Sequence, residues 1–174
     1  MSDQIRVLVS AGSKHGSTAE IAERIGAVLE SRGFSASVID PGQVLDVDDY
    51  DAVILGSAVY AGHWVNEAKE VANLIAVSDP KPATWLFSSG PVGDPPMPEE
   101  DPVDVADVMA STEAVGHRVF PGNIDKSKLG FGERAIVVAV RAATGDFRDW
   151  GAIEAWATGI AASLGSDVVA GKDG

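Results

Sequence analysis

The sequence predicts an α/β fold: one doubly wound parallel sheet with helices on both faces, in a single domain spanning residues 1–174. Three observations predict it. Short apolar runs alternate with stretches of helical periodicity, the pattern of βαβ units. The run Ala52-Val53-Ile54-Leu55-Gly56 is continuously apolar, as a central strand covered on both faces must be. The first apolar run breaks abruptly into Gly12-Ser13-Lys14-His15-Gly16-Ser17-Thr18, and a helical pattern follows at once.

Taken in order, Ile5 to Val9 reads as the first strand. Glu20 to Arg32 reads as a helix with Ile21, Ile25, Val28 and Leu29 on one face. Ser17 and Glu20 have the spacing of a capping box, and Gly33 ends the helix. Ser35 to Ile39 suits a second strand, and Val44 to Tyr50 an acidic loop with a helical turn. Residues 52–56 form the third strand, and Val65 to Val77 a helix with Ala68, Val71, Ala72 and Ile75 facing inward. Ala83 to Ser88 is a fourth strand, Gly93 to Pro102 a proline- and acid-rich surface loop, Val103 to Ala114 a helix, and His117 to Phe120 a fifth strand. Ile153, Trp156, Ala157, Ile160 and Leu164 space a last helix closed by Gly165, with a frayed tail from Val168. Between Gly122 and Gly145 the pattern is mixed: Glu133 to Ala143 fits a helix, and Ile136-Val137-Val138 also fits a strand.

Composition sets outer limits. A chain of 174 residues buries a full core. It has no cysteine, which excludes disulfides, thiolate catalysis and cysteine metal sites. It has 13 basic and 26 acidic residues, a formal charge of −13, so nucleic acid and anionic lipid are repelled. Solubility explains such a charge, and a docking face for a basic redox partner is the functional reading. No apolar run reaches the ~18 residues of a membrane helix. The start, Met1-Ser2-Asp3-Gln4, lacks the basic and apolar regions of a secretion signal, so a cytoplasmic location is expected.

The loop after the first strand has the makings of a phosphate cradle. A helix N-terminus presents free N–H groups and the positive end of its dipole. Ser13, Ser17 and Thr18 add hydroxyls, and Gly12 and Gly16 let the backbone approach closely. A nucleoside triphosphate loop needs lysine directly before its last Ser or Thr, but here Gly16 precedes Ser17. A dinucleotide fingerprint needs a third glycine, although Asp40 after the second strand is placed like a ribose-binding acid. A single terminal phosphate monoester fits best.

The same stretch resembles the phosphate loop of flavodoxins. Tyr50 to Ser57 is similar to their third strand and first flavin-ring loop, and Phe87-Ser88-Ser89-Gly90-Pro91 to their second. The resemblance implies a five-stranded sheet of order 2-1-3-4-5 and FMN as cofactor. Its phosphate would lie on Ser13, Lys14, His15, Gly16, Ser17 and Thr18. Its ring would lie between Ser57, Ala58, Val59, Tyr60, Ala61, Gly62 and His63 on one side and Ser88, Ser89, Gly90, Pro91 and Val92 on the other. Residues 57–64 look most like menaquinone-dependent protoporphyrinogen oxidases. Those enzymes carry a basic, aromatic-rich insertion. Here Asn123 to Gly145 has Lys126, Lys128, Arg134 and Arg141 but only Phe131 as an aromatic, which counts against membrane docking.

Individual side chains carry two readings each. Tyr60 stacks on the flavin or is a half-buried loop tyrosine. Trp64 lines the ring edge or plugs the start of its helix. His63 donates a proton to flavin or substrate, or is an exposed helix-start residue, and His15 adds charge to the phosphate or is surface filler. His15, His63 and His117 lack metal-ligand spacing, and Ser88-Ser89-Gly90 is no hydrolase elbow. Trp85, Trp150 and Trp156 read as core. The expected function is an FMN oxidoreductase acting on a redox partner protein or a small molecule, with quinone and porphyrin as candidates. Alternatives are a non-enzymatic electron carrier, a deazaflavin-binding variant and a cofactor-free interaction domain.

Overall fold

The computed structural model describes residues 4–13, 16–60, 63–89, 104–120, 123–124, 145–146 and 149–172. Its elements are β1 (Arg6–Gly12), α1 (Ser17–Ser31), β2 (Ser35–Val38), a 3-10 turn (Pro41–Gln43), β3 (Ala52–Tyr60), β4 (His63–Trp64), α2 (Asn66–Ala76), β5 (Ala83–Ser89), α3 (Val105–Thr112), β6 (Gly116–Phe120), β7 (Asn123–Ile124), β8 (Gly145–Asp146) and α4 (Trp150–Lys172). The main sheet runs β2-β1-β3-β5-β6 with every one of these neighbours parallel, and β4 folds back antiparallel on the end of β3. With the β4 return set aside, this is the expected 2-1-3-4-5 order.

Strand alternation divides the core in two. Val7, Val9, Ile54 and Phe87 point to one face, where Ile21, Ile25 and Leu29 of α1 and Ile153, Ala157 and Ile160 of α4 cover them. Leu8, Val53, Leu55 and Leu86 point to the other face, against Ala68, Val71 and Ile75 of α2 and Val105 and Val108 of α3. Each fully buried aliphatic side chain is worth about 1.5–3 kcal/mol. Phe87 and Phe120 each pack edge to face on Trp156 on the α4 side and are tilted against each other, with centroids 5.5–6.2 Å apart. Gly56 is needed beneath them, because a Cβ there would overlap the Phe87 ring. Trp85 is buried, and Trp150 and Trp156 pack against the same core.

Several local expectations are corrected. Helix α1 begins at Ser17 and is capped by Gly16 in the left-handed region (φ 87°), with no side-chain cap bond, so Ser17 does not serve as the N-cap of a capping box. The other end behaves as expected. Gly33 (φ 93°) donates to Glu30 O and Phe34 N–H to Leu29 O, the paired bonds of a glycine-terminated helix. The turn expected within 44–50 lies earlier, at Pro41–Gln43. β3 does not stop at Gly56 but continues to Tyr60. α4 starts at Trp150 and passes through Gly165 to Lys172, since glycine weakens a helix interior by only about 1 kcal/mol. The loop over 93–102 and the helix-or-strand question over 133–143 lie outside the described residues. Beside the latter segment, Asn123–Ile124 pairs antiparallel with Gly145–Asp146.

Candidate functional site

In a doubly wound sheet the crevice opens at the carboxyl ends of the strands, where the order reverses. Here the reversal falls between β1 and β3, which pair through Gly12↔Ser57 at that end. The described residues of the expected phosphate loop, Ser13 and Gly16 to Thr18, follow β1 at that end. Gly12 packs directly under α2: a Cβ would overlap Val65 Cγ2 and come within 3.2 Å of Ala68 Cβ. Gly16 N–H donates to Ser13 Oγ at 2.9 Å, and Glu20 N–H to Gly16 O at 3.1 Å, so the loop turns tightly into α1. The remaining N–H groups of the first turn have no intrahelical acceptor. Thr18 is fully buried and its Oγ1 has no hydrogen-bond partner. Leaving a buried hydroxyl unsatisfied costs about 1–3 kcal/mol. A donor held this way in the first turn of α1, below a glycine-capped helix end, fits a phosphate monoester. Lys14 and His15 lie outside the described residues. Ser17 is the first residue of α1.

The ring loops are built differently from the expectation. Ser57, Ala58, Val59 and Tyr60 are strand residues, with Ser57↔Ser88 and Ala58↔Ser89 in register on β5. β3 then folds back through Tyr60↔His63 and Val59↔Trp64, so the segment expected to wall the ring is an antiparallel strand pair. Ser57 and Ser88 are fully buried. Ser57 Oγ accepts from Val65 N–H (2.9 Å) and donates to Ala58 O (2.8 Å). Ser88 Oγ accepts from Trp64 Nε1 (2.8 Å) and is hydrogen-bonded to His117 Nε2 (2.8 Å). These two hydroxyls therefore hold the ends of the strands together. Ser89 is buried as well. Ala61, Gly62, Gly90, Pro91 and Val92 lie outside the described residues.

Trp64 is 2% exposed and plugs the start of α2. His63 is exposed, and its Nδ1 lies 3.3 Å from Asp104 Oδ2. The same carboxylate oxygen accepts Trp64 N–H at 3.0 Å and has Lys69 Nζ at 3.6 Å. Burial pushes the Asp104 carboxyl up, but the Trp64 N–H, the His63 ring and the Lys69 charge outweigh it and leave it below its usual value.

A cavity of about 540 Å³ joins the two halves of the site. Gly12, Ser13, Asp40, Gly42 and residues 63–67 line it. It thus touches the phosphate loop and the hairpin, and extends towards β2 rather than β5. Asn66, Glu67 and Asp104 were missed in the sequence. Asp104 offers no local signal, being 41 residues from its partner His63. Asp40, which in the sequence is placed like a ribose-binding acid, lines this cavity.

These features place the chain in a class, the doubly wound α/β domains with a crevice where the strand order reverses between β1 and β3. The sequence matches the flavodoxin domain family over residues 8–150, and the chain belongs to that family. Flavodoxin domains bind FMN. The fold is similar to a flavodoxin from the domain Archaea (20% identity, TM-score 0.54, covering 79% of this chain and 99% of that one). It is also similar to rubredoxin oxygen:oxidoreductase from Desulfovibrio gigas (14%, 0.63), covering 94% of this chain but 37% of that longer one. A third similar structure is a flavone reductase (10%, 0.58; 91% and 62%). No curated protein matches the chain. Among the described residues, no helix is long and apolar enough to cross a membrane.

Proposed function

We propose that this chain is an FMN-dependent redox domain that exchanges electrons with a small molecule, either a quinone-type acceptor or a porphyrinogen-type donor. The observation that carries the FMN reading is the buried, unpartnered Thr18 hydroxyl at the glycine-capped start of α1. Bound there, FMN supplies reversible electron transfer. The chain's own part is to bind, orient and exclude water. The first-turn N–H groups and Thr18 Oγ1 hold the phosphate, with the helix dipole offsetting its charge in an acidic protein. The hairpin of β3 and β4, braced by Trp64, forms one wall for the ring. The net charge of −13 disfavours further negative charge in the crevice and lowers the potential of the bound cofactor.

Titrating the apoprotein with FMN and with riboflavin tests this reading. FMN should bind tighter by on the order of 10-fold to 100-fold, the worth of charge-assisted hydrogen bonds to the phosphate. Equal affinities, or no binding of either, would exclude the cradle. A phosphorylated deazaflavin run alongside distinguishes the variant cofactor. A second reading, a carrier for a basic protein partner, is favoured by the acidic surface alone. Under that reading, reoxidation of the reduced protein by small acceptors stays slow, and reoxidation by a basic redox protein is fast and salt-sensitive.

A further inference from the structure

The pair His63 and Asp104 has a role beyond holding the hairpin. The hairpin is already tied by Trp64, whose backbone N–H donates to Asp104 Oδ2 and whose indole donates to Ser88. Neither tie needs an ionisable ring beside it. Yet His63 sets Nδ1 against the same carboxylate oxygen at 3.3 Å, while its side chain stays 54% exposed and lines the cavity shared with Ser13. A carboxylate at Nδ1 selects the tautomer with the proton on Nδ1, directs Nε2 away from itself, and stabilises the imidazolium. His117, by contrast, spends its Nε2 on buried Ser88.

We propose that Asp104 is a positioning residue that presents His63 Nε2 as the proton donor to a two-electron acceptor in this cavity. The proposal rests on the flavin reading above. Moving one electron to an acceptor needs no protein proton. A two-electron acceptor that ends as a neutral alcohol or hydroquinone takes up two protons with its two electrons: one would travel with the electron pair as hydride from the reduced flavin, and the other must come from the protein. In the step assigned to His63, the Nε2–H bond breaks and an O–H bond forms on the acceptor oxygen. The neutral imidazole then regains a proton from water at its exposed side, and no electrons move in that step. The electrons come from the reduced flavin. Charged and titratable groups around His63 come from every neighbouring element. Among the described residues they are Asp104 before α3, Lys69 and Glu67 on α2, and Asp40 after β2.

The test uses the FMN-loaded protein, reduced with dithionite and mixed rapidly with benzoquinone or with ferricyanide, which takes electrons but no proton. The quinone-to-ferricyanide rate ratio should fall on the order of 10-fold to 100-fold in His63→Gln and in Asp104→Asn. In apoprotein labelled with 15N-histidine, neutral His63 should carry its proton on Nδ1, and Asp104→Asn should shift it towards Nε2. An unchanged ratio in either variant, or an unchanged tautomer in Asp104→Asn, overturns the proposal. Failure to bind FMN overturns the flavin reading and this role with it. FMN binding with an unchanged ratio overturns only the role of His63.

Discussion

The indole Nε1 of Trp64 donates to Ser88 Oγ at 2.8 Å, and this bond ties the returning strand β4 to the end of β5 across the buried edge of the crevice. Trp64 is 2% exposed and Ser88 is not exposed at all, so neither group reaches water. His117 on β6 reaches the same hydroxyl, and three strands meet on one oxygen atom. A polar bond in this setting is costly to leave half made, because the surviving partner keeps its desolvation penalty.

Ser88→Ala should therefore destabilise the protein by about 1–3 kcal/mol, since it strands the Trp64 indole N–H in a dry site. Urea unfolding measures it. Ser88→Thr, which keeps an acceptor oxygen, should recover part of the loss. A cost below about 0.5 kcal/mol for the alanine would mean that the bond does not form in solution.

Thr18→Val should separate folding from binding. The hydroxyl has no partner in the apoprotein, so the isosteric valine should leave apoprotein stability unchanged or raise it by up to about 1 kcal/mol. FMN affinity should fall roughly tenfold or more, the equivalent of about 1.4 kcal/mol. Thermal unfolding of the apoprotein and a fluorescence titration give the two signs. Loss of stability together with unchanged affinity would contradict the assignment of Thr18 to the phosphate.

Gly56→Ala should be among the most damaging small changes in the sheet. The added methyl would overlap the Phe87 ring, which is itself locked by Phe120 and Trp156. Overpacking of this kind costs about 1–3 kcal/mol. The control is Gly42→Ala, an exposed site with nothing within 4 Å, which should stay within about 0.5 kcal/mol of wild type. Guanidinium unfolding of the pair checks the contrast.

Asp104 makes the stability pH-dependent in a definite direction. Its carboxyl is held below its usual value in the folded state, because its hydrogen bonds and neighbouring charges outweigh the effect of burial. The unfolded chain then binds the proton more readily than the folded one. The carboxylate's stabilisation is complete above the unfolded pKa and is lost as pH falls through the lower folded value. The stability gap between wild type and Asp104→Asn should shrink as pH falls below about 4. A gap that widens on acidification would reverse the assignment.

Much of the fold is legible because its signals are local. Strand alternation at Val7, Leu8 and Val9, the apolar run 52–55, and the helical spacing of Ile21, Ile25 and Leu29 each follow from a short window of sequence. Gly33 ends α1 for a reason internal to the residue, its freedom to take φ 93°. Gly165 shows the limit of the same signal, because α4 continues through it to Lys172. Ser57 and Ser88 read as hydroxyls for a ligand. Only the pairing of β3 with β5 and the return of β4 show that both are bonded within the protein.

The sequence by itself determined the class of fold, the glycine- and hydroxyl-rich turn between the first strand and the first helix, and the acidic character of the chain, because periodicity, glycine placement and charge are properties of short segments or of composition. Tertiary structure alone decided that Asp104 meets His63 and Trp64, that Ser88 joins Trp64 to His117, and that Asp40 shares a cavity with Ser13. Those contacts are between residues far apart in the chain. Their energies arise from burial and directed hydrogen bonds that exist only after the strands are in register.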